Sequence, residues 1–136
     1  MQIQFPLEFF VVGTPVSLQA KNTNSKEQWK ARVLEACREV VDGACFACDD
    51  EVTITIYYFC SEDVDGDLDN CVKLILDALV PHILLDDQRV ESLIVRRFRP
   101  NRLIAFSNPS AALSDAMDGD PPRVYIRIED EAHGGL

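Results

Sequence analysis

Histidine is scarce in this chain of 136 residues: only His82 and His133 occur. His82 follows a helical stretch and His133 sits near the C-terminus, so neither is placed as the general base of a nucleophilic triad. Long apolar runs are missing too; none reaches the roughly 20 residues needed to cross a bilayer. The opening Met1-Gln2-Ile3-Gln4-Phe5-Pro6 lacks the basic-then-apolar layout of a secretion signal, so a cytoplasmic location is expected. Five cysteines, an odd number, do not make a disulfide framework and suit a reducing compartment. Cys45-Phe46-Ala47-Cys48 has metal-ligand spacing, with Cys37 ahead of it, but no second pair or suitably spaced histidine completes a zinc site. Cys60 and Cys71 lie in or beside apolar runs and read as packing residues.

Positive charge is in deficit. Lysine and arginine number 13 against 23 acidic residues, a formal net charge of -10, which opposes nucleic-acid binding unless cations or local basic patches offset it. The positives are unevenly spread. Lys21, Lys26, Lys30 and Arg32 crowd one segment, and Arg96, Arg97, Arg99 and Arg102 another. Each cluster reads either as a DNA contact surface or as a solvated face.

What the chain does have is a concentration of carboxylates around one lysine. Asp67-Leu68-Asp69-Asn70-Cys71-Val72-Lys73 is followed, beyond an apolar helix, by Asp86-Asp87. Carboxylates packed this closely repel one another, and a divalent cation offsets the repulsion. The segment from Asp63 starts like an EF-hand loop, but its glycine comes early and Leu74 stands where the closing Glu belongs. Oxygen donors select Mg²⁺ or Mn²⁺. Such an ion polarises a phosphoryl group and activates water, so metal-assisted phosphoester hydrolysis is the leading chemistry. Lys73, one turn into the helix, is placed to balance charge developing at phosphorus.

The flanking elements are legible from periodicity. Phe9 to Val12 reads as a strand stopped at Gly13-Thr14-Pro15. Ser25-Lys26-Glu27-Gln28 reads as a capping box opening a helix with Trp29, Val33, Ala36, Cys37 and Val40 on its apolar face and Gly43 as its stop. Val52 to Tyr58 alternates as a strand. The helix from near Asp69 to Val80 is apolar on most sides, with Asp69, Lys73 and Asp77 in one stripe and Pro81 at its end. Val90 to Phe98 is a strand, Arg102 to Phe106 a short return strand, and Arg123 to Ile128 a final strand. Residues 107–122 read as a long loop and 129–136 as a flexible tail. No repeat or second domain is visible, so 1–136 is taken as one domain.

The acidic segment resembles the signature of the RusA-type Holliday junction resolvases. Asp67-Leu68-Asp69-Asn70-Cys71-Val72-Lys73, Asp77-Ala78-Leu79 and Asp86-Asp87-Gln88-Arg89-Val90 meet its D-x-D-N-x-x-K-x-x-x-D-A-L and later D-D-x-x-V spacing. The resemblance implies an α+β fold, a small mixed β-sheet packed with two main helices. It also implies a Mg²⁺-dependent endodeoxyribonuclease that acts as a homodimer, cutting four-way DNA junctions by paired nicks in recombination and repair. By position, Asp67, Asp69 and Asp87 match the family's metal ligands and Lys73 its catalytic lysine. Asp86 stands as a possible additional ligand, and Asp77 as support for Lys73. Lys21, Lys26, Lys30, Arg96, Arg97, Arg99 and Arg102 are the candidate DNA contacts, with Phe9-Phe10 and the last strand as candidate dimer contacts. Two departures stand out: acidic Glu62 to Gly66 where the family is commonly basic, and the long acidic segment 107–122. The alternatives are a non-catalytic DNA-structure-binding protein on the same fold and a cation-binding or phosphohydrolase domain without a DNA partner.

Overall fold

The computed structural model describes residues 3–17, 19–41, 43, 45–61, 69–100 and 105–130, with Asp69 and Asn70 described by backbone alone. Four strands form one mixed sheet: β1 (Leu7–Val12), β2 (Val52–Phe59), β3 (Val90–Phe98) and β4 (Arg123–Asp130), in the spatial order β1-β4-β2-β3. β4 runs antiparallel to both β1 and β2, whereas β2 and β3 pair in parallel. A parallel pair needs a crossover, which α2 (Asp69–Leu79) supplies. Helix α1 (Thr23–Val40) joins β1 to β2. The architecture is α+β, with a mixed sheet as expected.

Strand alternation sorts the side chains into two layers. Leu7, Phe9, Val11, Val52, Ile54, Ile56, Val124, Ile126 and Ile128 face α1 and α2, and with Trp29, Val33, Leu74, Ile75 and Leu79 they form the main core. The opposite face carries Phe59, Phe98 and Tyr125, with Leu113 and Ala116 packed on them. Tyr57 stacks on Phe106 and Tyr125 and meets Phe98 edge-on, with centroids 5.4, 5.6 and 5.4 Å away.

Leu113 and Ala116 belong to a third helix, α3 (Ala111–Asp118), where the sequence suggested a loop over 107–122. Ser110 caps it, accepting from the Leu113 N–H at 3.1 Å, and its hydroxyl donates to the Glu8 carboxylate on β1. The signal was present in Ser110 followed by Leu113, Ala116 and Met117 at helical spacing. Eight residues alone make a marginal helix, and this one is held by the aromatic layer beneath it. Two smaller corrections concern ends. Asn22, not Ser25, caps α1, its side chain accepting from the Ser25 N–H at 3.2 Å; the helix stops at Val40, ahead of Gly43, and leaves Val40 half-exposed. β4 continues through Glu129 and Asp130 because both pair with β2, so the described part of the expected tail is strand. Ala105 and Phe106 are not in a strand; the remainder of the expected return strand lies outside the described residues.

The candidate dimer contacts are also corrected. β4 is interior, hydrogen-bonded to a strand on each side. Phe9 is buried in the main core, and Phe10 packs in the second layer beneath the Arg123 guanidinium.

Candidate active site

Helix α2 starts at Asp69 and buries Val72, Leu74, Ile75, Ala78 and Leu79. Lys73 and Asp77, four residues apart, occupy the stripe left on its outer surface. The Lys73 ammonium lies 3.0 Å from Asp77 Oδ1 and 3.4 Å from Asp87 Oδ2. All three side chains are between a third and a half exposed, so the ion pairs themselves contribute little stability. Their consequence is positional and electrostatic. The hydrogen bond to Asp77, then its charge, and then the Asp87 carboxylate raise the Lys73 pKa above its ordinary value, keeping the amine protonated.

Asp87 reaches Lys73 because the connection from α2 to β3 is pinned. Ile83 and Leu84 donate backbone hydrogen bonds to the Leu79 carbonyl, and Leu84 bridges to Cys48. The Cys48 N–H donates to Ile83 at 2.7 Å, and the Leu85 N–H to Cys48 at 3.0 Å. Asp87 then opens a single 3-10 turn, Asp87–Arg89, capped by Asp86, whose carboxylate accepts from the Gln88 N–H at 3.0 Å. That backbone hydrogen bond is the main cause lowering the Asp86 pKa. Arg89 reaches Asp49 Oδ1 at 3.0 Å and ties the turn to the chain entering β2. Nothing in the local sequence marks the Arg89–Asp49 pair; it exists because β2 and β3 start side by side.

The sequence candidates therefore separate. Lys73 and Asp87 come together with Asp77, while Asp86 faces its own backbone turn. Asp67 and the Asp69 side chain lie outside the described residues, as does Arg102. Among the described residues no three metal-ligating side chains converge. The described donor, Asp87, nevertheless suits a hard cation: it is a half-exposed carboxylate beside Lys73, which itself lies one turn along α2 from Asp69.

The arginine cluster at β3 is not a single patch. Along β3, Arg96 and Arg97 point to opposite faces of the sheet; Arg96 lies 4.8 Å over the Phe98 ring on the α3 side. Arg99 follows the end of the strand. Near the N-terminus, Lys21 is exposed in the loop ahead of α1, Lys26 lies in its first turns, and Lys30 pairs with Glu27 at 2.9 Å.

The model of the endodeoxyribonuclease RusA family matches residues 12–129. The chain belongs to that family. The match runs from the last residue of β1 to Glu129, one residue short of the end of β4, and includes the acidic motif, Lys73 and Asp87. RusA membership brings endodeoxyribonuclease activity, with Holliday junction resolution as the family's general function. No curated protein matches the chain. Among the described residues no helix is long and apolar enough to cross a membrane.

Proposed function

We propose that this RusA-family chain is a Mg²⁺-dependent endodeoxyribonuclease that resolves four-way DNA junctions by paired phosphodiester hydrolysis as a homodimer. The observation carrying the reading is the Lys73 ammonium held between Asp77 and Asp87 on the helix that begins at Asp69. A family motif scattered over 21 residues (Asp67 to Asp87) thus has its lysine and its last acid within contact distance.

Asp67, Asp69 and Asp87 would hold Mg²⁺, with Mn²⁺ as a substitute and Asp86 as a possible further ligand. When bound, such an ion supplies Lewis-acid stabilisation of the phosphoryl oxygens and lowers the pKa of a coordinated water. The chain's own part is to orient and to neutralise. Lys73 donates to a non-bridging or leaving oxygen as negative charge accumulates there, and its raised pKa keeps that donor charged. Asp77 holds the ammonium on the outer side of α2 and so acts as a positioning residue. Asp86 fixes the turn that presents Asp87. Lys21, Lys26, Lys30, Arg96, Arg97, Arg99 and Arg102 would contact the duplex arms, compensating locally for the net charge of -10.

The test is cleavage of a synthetic four-way junction beside matched linear duplex, with Mg²⁺ and then with Ca²⁺. Symmetric nicks in the junction alone, supported by Mg²⁺ and not by Ca²⁺, are expected. Asp69→Asn should lose cleavage while retaining or improving junction binding, because carboxylate–phosphate repulsion falls. A shifted but uncut junction with the wild-type chain and Mg²⁺ would favour the non-catalytic binding protein. No shift at low salt would remove DNA as the partner.

A further inference from the structure

Asp87 has a basic side chain on either side, and each is held closer to an acid outside the expected ligand set. Lys73 lies 3.0 Å from Asp77 but 3.4 Å from Asp87. Arg89, two residues beyond Asp87, places its Nε 3.0 Å from Asp49 Oδ1. The Arg89 N–H donates to the Asp86 carbonyl at 3.1 Å, closing a 3-10 turn in which residues three apart eclipse one another. The Arg89 side chain therefore leaves the turn on the side of Asp86, with both acids of its own turn within reach.

Asp49 meets it from pinned backbone. Cys48, just before it, is hydrogen-bonded through its main chain to Ile83 at 2.7 Å and to Leu85 at 3.0 Å. The Asp50 N–H, just after it, donates to Cys48 Sγ at 3.2 Å. Both members of the Arg89–Asp49 pair are open to water, so the pair adds little to stability. Its effect falls on the distribution of charge beside Asp87.

We propose that Asp49 is a positioning residue for the cation site: it holds the Arg89 guanidinium off Asp86 and Asp87 and leaves Asp87 free to coordinate the divalent ion. A guanidinium on either carboxylate would occupy oxygens that a hard cation needs and would repel the ion. The inference rests on the proposed role of Asp87 as a metal ligand, and it adds to that role a residue 38 positions earlier in the chain.

Mn²⁺ binding to the full chain without DNA, measured by calorimetry, tests it. Asp49→Asn frees Arg89 and should weaken binding about three- to fivefold, the scale of one exposed charge interaction. Asp50→Asn removes the same charge one residue away and should weaken it far less. Arg89→Gln should bind Mn²⁺ at least as tightly as the wild type, and adding it to Asp49→Asn should restore the affinity. If the pair merely braced the turn, both single variants would weaken binding alike and the double variant would not recover; that result overturns the proposal. So does an Asp49→Asn chain that binds like the wild type or like Asp50→Asn. A crystal structure of metal-free Asp49→Asn supplies a readout that needs no ion. There the guanidinium should lie within ion-pair distance of Asp86 or Asp87, and a guanidinium beside neither overturns the inference. A wild-type chain that binds no Mn²⁺, with Arg89 moving as expected in the variant, would uphold the restraint on Arg89 and remove the metal-ligand role of Asp87.

Discussion

Lys73 and Asp87 are 14 positions apart in the chain and 3.4 Å apart in space. One stands on the outer stripe of α2, and the other opens the 3-10 turn that feeds β3. Their meeting depends on the backbone bonds that hold residues 83–85 against Leu79 and Cys48. A loose connection would leave the lysine with Asp77 alone.

Removing the Lys73 ammonium should be the most damaging change outside the carboxylates. Lys73→Ala is expected to lower junction cleavage by about 10²–10³-fold, the scale for loss of a charge-stabilising donor. Asp77→Asn should cost about tenfold, from lost positioning. Because Asp77 is the first cause of the raised Lys73 pKa, Asp77→Asn should also move the alkaline limb of the pH–rate profile to lower pH. A profile measured on both variants and the wild type checks this; an unmoved limb in Asp77→Asn would separate the two residues.

Asp86 and Asp87 are adjacent in sequence and should differ in kind. Asp87→Asn is expected to abolish cleavage without altering the melting temperature by more than a few degrees. Asp86→Ala should instead lower stability, with cleavage reduced only so far as the turn presenting Asp87 loosens. The Asp86 pKa is depressed, so its stabilising contribution is present above the ordinary carboxylate range and is lost as pH falls through the depressed value. Melting temperature followed from pH 7 downward should drop less steeply in Asp86→Ala than in the wild type.

Alkaline pH should destabilise the fold. Burial raises the Cys37 thiol from 9.0 to about 12, and burial followed by the hydrogen bond to Glu8 raises the Tyr125 phenol. In each case the native state holds a proton that the unfolded chain releases. Stability is thus complete below the unfolded pKa and falls as pH rises toward the folded one. For Cys37 the loss amounts to about 4 kcal/mol at the limit, from roughly 1.4 kcal/mol per pH unit. Denaturant midpoints between pH 9 and 12 should fall less in Cys37→Ala than in the wild type, whatever the variant's stability at pH 7.

Gly13 ends β1 with φ +134°, a conformation disfavoured for residues with a Cβ. A Cβ there would also stand 2.9 Å from the Arg32 guanidinium, which donates to the Val12 carbonyl. Gly13→Ala should cost about 1–3 kcal/mol in chemical denaturation. Adding Arg32→Ala should not recover the backbone part of that loss.

Lys21, Lys26 and Lys30 make a graded test of the N-terminal basic segment. The triple glutamine variant should bind junction DNA more weakly across all sequences and show a flatter dependence on salt. Lys30→Gln alone should have the smallest effect, because Lys30 is already paired with Glu27 at 2.9 Å. Unchanged binding in the triple variant would remove the segment from the interface.

The strands and the two long helices were legible because each carries its period within itself. Val52 to Tyr58 alternates, and the apolar sides of the helix after Asp69 leave only one polar stripe. Much of the candidate site was legible for a similar reason: the motif spacing puts Lys73 and Asp77 on one helix face, and a family pattern ties Asp87 to them. Helix α3 was obscured because its few apolar residues acquire meaning only against Tyr57, Phe59, Phe98 and Tyr125, which come from three different strands. The arginines of β3 are neighbours in sequence, and only the strand separates Arg96 from Arg97, since neighbours in a strand point apart.

By itself, the order of residues determined the four strands and the two long helices, which residue types could meet a phosphoester, and that the chain carries the RusA motif. Only the tertiary structure decided that Asp87 reaches Lys73, that Asp86 caps a turn beside it, that β4 is interior and that β3 forms an edge. Local periodicity reports how one segment distributes its side chains. Which segments become neighbours depends on crossover geometry and on contacts between residues far apart in the chain.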